Sequence, residues 1–532
     1  MILNVPERWD LEVDLVAVGS SSGGLVAAIV GHDLGLTTLV LEKADTLGGG
    51  TALSGGVVWI PCNHHMLAMG LSDSREEALT YIRRVGMERH DEEKTAAFLD
   101  NGPEMLRYIE EHTPLKMIAI PDYPDYRAEL PGGKSTGRYL LPDPLDMAVS
   151  LAAAEQSQPF LSKVRRSPVP LVLGFPDALW MAGRTLIGPL VWACIDRGIE
   201  MLTNIRARQL IVHEGRVIGL RAERDGRGFL VKGKRAVLLA CGGYEWNEEM
   251  NKRFIHGPPV HAFTNPQNEG DGHIMGMEIG AAVALMDQTL WLPTVRIPGE
   301  EIDDKPLYRL FLTSCGKPGD ILVNRHGKRC CNEAFYPDIA SAFVARNSAK
   351  SEFINLPMFW IADQSHRDTY HCGPLAPGEC GETAEWLHHA DTVPGLAEQL
   401  GLPPDNLEDT VQRFNSFARE GKDPDFRRGE TAYDKFAGDP NHKPNPSLAP
   451  LEKPPFYAAQ IWPGTAGHQG GLVTNGNAQV INVRGDVIPG LYGTSNTTAH
   501  LAIGLGYNSG FAHGQSMVFG YVAARHIAQS QK

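Results

Sequence analysis

Residues 14–42, DLVAVGSSSGGLVAAIVGHDLGLTTLVLE, leave few folds open, because they spell a strand, a sharp turn, a helix and a second strand in one unbroken run. Leu15, Val16, Ala17 and Val18 form the short apolar run of a strand buried on both faces in a parallel sheet, and Gly19 turns the chain. A helix with Leu25, Ala28 and Ile29 on its apolar side follows, then a second strand at 38–41. The turn Gly19, Ser21, Ser22, Gly23, Gly24 is shaped for the diphosphate of a dinucleotide: Gly23 and Gly24 remove side chains where backbone approaches phosphate and where helix sits on strand. The amides of the first helical turn face the anion. Glu42, 18 residues beyond Gly24, stands at the end of the second strand, where an acid accepts bonds from both ribose hydroxyls and repels a 2′-phosphate. Ser21 occupies the position usually held by the middle glycine, and its hydroxyl can donate to a phosphate oxygen. The plain structural alternative is an ordinary βαβ turn.

The next stretch extends that site. Lys43 is followed by glycines at 48, 49, 50, 55 and 56, which let backbone lie against a flat ligand, while Thr51 and Ser54 supply short donors. The apolar residues 57–60 then predict an ordered strand rather than a loose loop. Residues 236–244 resume the parallel core and end in Ala240-Cys-Gly-Gly, with Gly242 and Gly243 again placing backbone near a cofactor. The amides near Arg206 are candidates for its adenine side. An acidic net charge of −14 with no basic run opposes binding to nucleic acid or anionic lipid, and no 18-residue apolar segment is present. Small-molecule chemistry in the cytoplasm, without stable membrane insertion, is the expectation. Eight scattered cysteines, including the adjacent Cys330 and Cys331, show no C-x-x-C spacing and read as reduced, with no metal site expected.

Elsewhere the spacing predicts helices across 74–111 with a break at Asn101-Gly102-Pro103, a helix near 186–197, and a hairpin turning at Glu214-Gly215. From 288 to 462, prolines, aromatics and charges are dense and no second nucleotide signature occurs. The expected organisation is an α/β protein: a discontinuous Rossmann-like dinucleotide domain (1–287 and 463–532) with an inserted α+β substrate domain (288–462) and a closing helix from about Gly514.

Several stretches together carry a resemblance: the opening unit, Gly48-Gly-Gly-Thr-Ala-Leu-Ser-Gly-Gly, Ala240-Cys-Gly-Gly-Tyr-Glu-Trp-Asn, Asn268-Glu-Gly-Asp-Gly, Arg329-Cys-Cys-Asn-Glu-Ala and Ile488-Pro-Gly-Leu-Tyr. Over nearly its whole length the chain resembles the flavoproteins that include fumarate reductases and 3-ketosteroid Δ1-dehydrogenases. The resemblance implies FAD, covalent or not, rather than NAD, and adds Asn268, Asp271, Gly493 and Asn496 to its contacts. Dicarboxylate reductases of this family use a late arginine to clamp substrate, whereas the only Arg after Gly490 here is Arg525, inside the final helix. The ketosteroid dehydrogenases are more similar, with tyrosines matching Tyr126, Tyr336 and Tyr507. Tyr336 lies one residue nearer Asn332 than in the family, which leaves Phe335 or a shifted backbone as the alternative occupant of the base position.

Removing hydrogens from the α and β carbons of a ketone needs an acid at the oxygen, a base for the α-proton and a hydride acceptor. The resemblance implies Tyr507 and a main-chain amide at Gly510 at the oxygen, Tyr336 as base, Tyr126 as the partner that stabilises its phenolate, and flavin as acceptor. The expected substrate is a cyclic ketone, a 3-ketosteroid foremost, with a small ring such as cyclohexanone or 4-oxocyclohexanecarboxylate as rival and fumarate or acrylate reduction as the opposing chemistry. An external electron acceptor, a quinone or another oxidant of unassigned identity, completes the cycle. Ile118, Tyr123, Trp291, Phe311 and Phe511 are the candidate pocket walls; His468, His500 and His513 are structural or alternative proton carriers.

Overall fold

The computed structural model describes residues 6–166, 183–379, 384–502 and 508–530. Strand β1 (Leu11–Val18), helix α1 (Ser22–Asp33) and strand β2 (Thr38–Leu41) form the predicted unit, with Val16 beside Leu39 and Val18 beside Leu41 in parallel register. On the other side of β1 lies Arg227–Leu239, also parallel, then Val487–Gly493; Glu200–Leu202 lies beyond β2. The apolar runs are continuous because both faces of this sheet are covered. Val18, Leu41, Leu239 and Gly493 all end at one edge, which is where an open parallel sheet leaves a crevice for ligand. The expected hairpin, Arg206–His213 with Arg216–Arg224, turns at Glu214 and Gly215, both at positive φ, and extends the sheet antiparallel.

Helix α1 is buried all round from Ser22 to Gly31, as an apolar helix with no polar face must be. Its second cover is the closing helix Phe511–Gln529, which brings Gly23 and Gly520 face to face. A Cβ at Gly23 would press into the Ser516 carbonyl, and one at Gly520 into the Gly23 carbonyl. Gly23 therefore serves helix packing, and Gly24, whose Cβ would meet the Gly19 carbonyl, serves the tight turn.

The expected break at 101–103 does not occur: Glu92–His112 is one helix with Pro103 inside it. Asn101 caps no new helix, because its amide donates to the Ala97 carbonyl within the same one at 2.8 Å. Gly102 lies against Ile60 and Val518, where a Cβ would make ordinary van der Waals contact.

A second, mainly antiparallel sheet orders Lys305–Leu310, Thr289–Ile302, Phe456–His468, Met358–Asp363 and Asp320–Asn324. His261–Ala262 and Leu387–Ala390 also pair with its central strand. Its inner end is held by buried charges. Arg428 bonds Asp320 (2.6 Å) and Glu333 (3.1 Å), and Arg329 bonds Glu333 (2.7 Å) and Asp423 (2.8 Å). This accounts for Arg329-Cys-Cys-Asn-Glu-Ala: Glu333 also accepts the Leu322 amide, and Asn332 donates to Asp434.

Candidate active site

One large cavity opens along the carboxyl edge of the parallel sheet and runs to the second sheet, enclosing about 1760 Å³ between protein atoms, its open mouth included. Its lining runs without interruption from the glycine turn to the tyrosines, an arrangement that suits a cofactor with a substrate beside it. Gly19, Ser21, Glu42 and Lys43 line its sheet end, joined by Ala240, Gly242, Asn268, Asp271 and Asn496. Gly49, Gly50, Thr51, Ser54 and Gly55 line the next portion, where Gly49–Leu53 is a short helix entered through Gly48 at φ 96°.

Glu42 is more committed than its sequence position suggests. One oxygen accepts the Ser20 amide and hydroxyl at 3.1 and 2.6 Å, the other the Ala44 amide at 3.0 Å, while the Ser20 hydroxyl accepts the Gly48 amide. Ser20 thus ties the first turn to the glycine segment, a role no motif position announces. Lys43 bonds Glu269 and Asp271 at 3.1 and 2.8 Å, and Arg206 bonds Asp271 at 2.6 Å, so Arg206 braces the Asn268-Glu-Gly-Asp segment from outside the cavity lining. Ser22, Gly23, Gly24, Gly56, Gly243 and Gly493 likewise stand behind the lining. Gly493 packs on Thr498.

Glu245, missed by sequence reasoning, is a second buried acid of this cavity beside Glu42. Its Oε1 accepts Thr264 (2.8 Å) and Asn268 (2.7 Å), Oε2 has no protein partner, and burial pushes the carboxyl up from its ordinary range. An unpartnered carboxyl oxygen in a cavity walled by glycine backbone is the polar contact a bound, hydroxyl-rich cofactor satisfies, and the residues present fit FAD.

Tyr126 and Tyr336 meet at the far end, their rings edge to face with centroids 4.8 Å apart, and both line the cavity. Tyr336 is the first residue of the Tyr336–Val344 helix, which follows directly from the buried Arg329–Glu333 pair. Phe335 caps that helix and does not line the cavity. Tyr126 is fixed by Asp125, whose carboxylate receives Arg138 (2.8 Å), Trp59 (2.9 Å) and the Lys134 amide. Burial, then the neighbouring phenols Tyr123, Tyr336, Tyr433 and Tyr139, pushes the Tyr126 hydroxyl far above its ordinary value, so it keeps its proton. Tyr433, 4.6 Å from Tyr126 between centroids, is a fourth phenol that no family motif signalled. Tyr507 lies outside the described residues. Asn508 accepts from the Tyr81 hydroxyl and the Tyr126 amide, which ties residue 508 to the Tyr126 loop. Gly510, at φ 76°, lines the cavity; a Cβ there would meet Val57 at 2.8 Å, and its carbonyl accepts the Trp59 amide.

None of the five expected walls lines the cavity. Ile118 is exposed, Tyr123 is stacked between Tyr139 and Phe436, Phe311 packs on Trp360, and Phe511 on Trp59 and Phe98. Strand parity explains Trp291: Leu290 and Leu292 point into the cavity and Trp291 does not. The walls are Leu290, Leu292, Leu310, Leu312 and Phe263. His468 engages Thr289 and Asn251 through its two nitrogens, and burial pulls its pKa down to about 3. His500, also lowered to about 3 by burial, bonds Asn496. His513 does line the cavity; its Nδ1 donates to the Val57 carbonyl, which leaves Nε2 as an acceptor.

A dinucleotide cradle facing a wall of phenols defines a flavin-dependent oxidoreductase. The family described as FAD binding domain matches residues 14–508, so the chain belongs to it, and FAD is its cofactor. Within that family it stands among the relatives of 3-oxosteroid 1-dehydrogenases. It is 37% identical to the 3-oxosteroid 1-dehydrogenase of Mycobacterium tuberculosis, over 97% of this chain and 98% of that one. It is 36% identical to the 4-oxocyclohexanecarboxylate 2-dehydrogenase of Sinomonas cyclohexanicum, over 97% and 92%. The crystal structure of 3-ketosteroid Δ1-dehydrogenase from Sterolibacterium denitrificans in complex with 1,4-androstadiene-3,17-dione superposes with a TM-score of 0.88 at 32% identity, covering 98% of this chain and all of that one. Among the described residues no helix is long and apolar enough to cross a membrane.

Proposed function

We propose that the chain desaturates a cyclic ketone between its α and β carbons, with 1,2-dehydrogenation of a 3-ketosteroid as the leading reaction and residues 288–462 as the inserted catalytic domain of a cytoplasmic enzyme. The observation that carries this is the Tyr126–Tyr336 pair, 4.8 Å apart on the same cavity as the cofactor residues. Tyr336 Oη, as phenolate, takes the α-proton. An ordinary phenol near pKa ~10 is mostly protonated at neutral pH, so its anion needs a donor, and Tyr126, held protonated by burial, takes that role in this reading. Tyr507 and the Gly510 amide polarise the ketone oxygen as enolate charge develops. FAD, when bound, supplies the acceptor for the hydride leaving the β-carbon. The leucine walls keep water from the phenolate and the enolate. A quinone or another external oxidant then regenerates the cofactor.

Anaerobic bleaching of the 450-nm class of flavin absorption, read against ketones from cyclohexanone through bicyclic ketones to androstenedione, tests the reading. Fast bleaching by androstenedione is expected; absence of bleaching by every ketone defeats it. The resemblance to the Sinomonas enzyme supports a second reading, a single-ring ketone, and bleaching by cyclohexanone or 4-oxocyclohexanecarboxylate with none by steroid selects it. Reduction of fumarate or acrylate is disfavoured because Arg525 is spent on Glu104 and Tyr521, outside the cavity lining. Faster reoxidation of reduced enzyme by an acrylate than by any enone would reverse that judgement.

A further inference from the structure

Away from the flavin cavity, two adjacent histidines converge on one carboxylate. His64 and His65 open the short helix His64–Ala68, and Glu110 lies in the last turn of Glu92–His112. Glu110 Oε2 is 2.9 Å from His64 Nε2, and Oε1 is 3.0 Å from His65 Nε2. The ligand atoms of all three residues lie within 4.8 Å of one another, and the two imidazole centroids are 4.2 Å apart. We infer that His64, His65 and Glu110 form a binding site for a divalent transition-metal ion of the zinc class.

Three features support a site rather than a chance contact. Zinc–nitrogen and zinc–oxygen bonds of about 2.0–2.2 Å place tetrahedral ligand atoms ~3.3 Å apart, so the nitrogen–oxygen spacings here need only small shifts to admit an ion. The carboxylate and the start of the histidine helix are held from behind. Glu110 Oε1 accepts the Met117 amide at 2.9 Å, which fixes the carboxylate in the manner typical of a ligating acid. Asn63, fully buried, caps the histidine helix by accepting the Met66 amide and donates to the Ile60 and Gly137 carbonyls at 2.7 and 2.9 Å. Lys116 donates to the Glu110 backbone carbonyl rather than to its carboxylate.

Two imidazoles and one carboxylate with partly exposed rings match a three-ligand zinc centre whose fourth position is water, and imidazole suits zinc, nickel and copper better than the hard cations magnesium or calcium. The competing account has both rings as hydrogen-bond donors to Glu110. That account uses the same distances and gains nothing from an added ion, so metal uptake separates the two. An ion here would fasten the 64–68 helix to the 92–112 helix, just beyond the segment whose Trp59 amide bonds Gly510.

The test is calorimetric titration of Zn²⁺ into chelator-treated holoenzyme, with His64→Gln and Glu110→Gln compared at matched flavin occupancy, and zinc K-edge absorption on the loaded wild type. One equivalent bound at micromolar or lower Kd, weakened at least tenfold in both variants, is expected, with a shell of two imidazole nitrogens and carboxylate oxygen. No stoichiometric uptake by wild type, undiminished uptake by folded variants, or a shell containing sulfur overturns the proposal. If the variants lose their flavin spectrum, the wild-type shell decides alone.

Discussion

In the cofactor half, the residues nearest the ligand lie within a few positions of a strand end: Val18 precedes Gly19, Leu41 precedes Glu42, and Leu239 precedes Ala240. In the wall opposite, Tyr126 and Tyr336 come from distant segments and are aimed by charges they do not touch, Asp125 with Arg138 for one and the Arg329–Glu333–Arg428 network for the other. The first half works by backbone shape, which glycine spacing encodes locally. The second works by side-chain chemistry on a scaffold of buried ion pairs. Its precision depends on every partner being present, since one buried charge left unpaired costs far more than the pair contributes.

The largest effect therefore belongs to the network. Arg428→Met removes a guanidinium bonded to Asp320, Glu333 and the Lys317 carbonyl and leaves Asp320 in the interior without its cation, while Glu333 keeps Arg329. It should cost about 3–5 kcal/mol, a large share of a domain's stability. Urea unfolding followed by circular dichroism measures it; a loss within the range of a surface substitution would remove the distinction between the halves.

Tyr336→Phe keeps the ring and removes the proposed base. Flavin bleaching by the best ketone should slow by about 10²–10⁴ with the flavin spectrum intact. A rate near wild type would move the base to another group and leave the network with no chemical purpose. Tyr507→Phe should slow the same step by about a hundredfold, the loss of one oxyanion donor, again with FAD retained. A change confined to KM would make Tyr507 a binding residue.

How much of this was legible follows the same division. The first turn, the strand ends, the hairpin and the closing helix were readable because each is specified by neighbours in sequence, with alternation or glycine as the signal. Ser20 was not: its importance arises from bridging Glu42 and Gly48, which only the folded turn brings together. Pro103 misled because proline penalises a helix interior locally, while the burial of Leu99, Gly102, Met105 and Leu106 within the long helix outweighs it. The pocket walls were misjudged by size. Bulky Trp291, Phe311 and Phe511 were chosen over leucines, yet large aromatics gain most from full burial, and Phe311 and Phe511 are core. Tyr126 and Tyr336 were singled out through family resemblance alone, and nothing in their local spacing distinguishes them from Tyr433.

The smallest effect sharpens the contrast from the cofactor half, where a buried cation sits beside a carbonyl instead of a carboxylate. Lys94 Nζ donates to the Ala499 carbonyl, and burial, opposed only in part by Asp91, pulls its pKa down to about 8 from an ordinary value near 10.4. Between those values the unfolded chain binds a proton that the native chain has released, so this group makes stability rise with pH, by at most about 1.4 kcal/mol per unit. Below pH 8 both states are protonated and the slope vanishes. The buried thiols act in the opposite sense, since Cys194 and Cys372 are pushed up to about 12 and the unfolded chain loses those protons first. A difference measurement isolates the lysine. Wild type should gain stability relative to Lys94→Met as pH rises from 8 to 10 and not below pH 8, whereas relative to Arg428→Met it should already gain from about pH 6 upward, because Asp320, pushed up to about 6 by burial with Arg428 beside it, ionises there while the same carboxyl without its cation keeps its proton. Parallel stability curves for wild type and Lys94→Met would show that Lys94 is solvated or paired, and that the cofactor half handles buried charge as the opposite wall does.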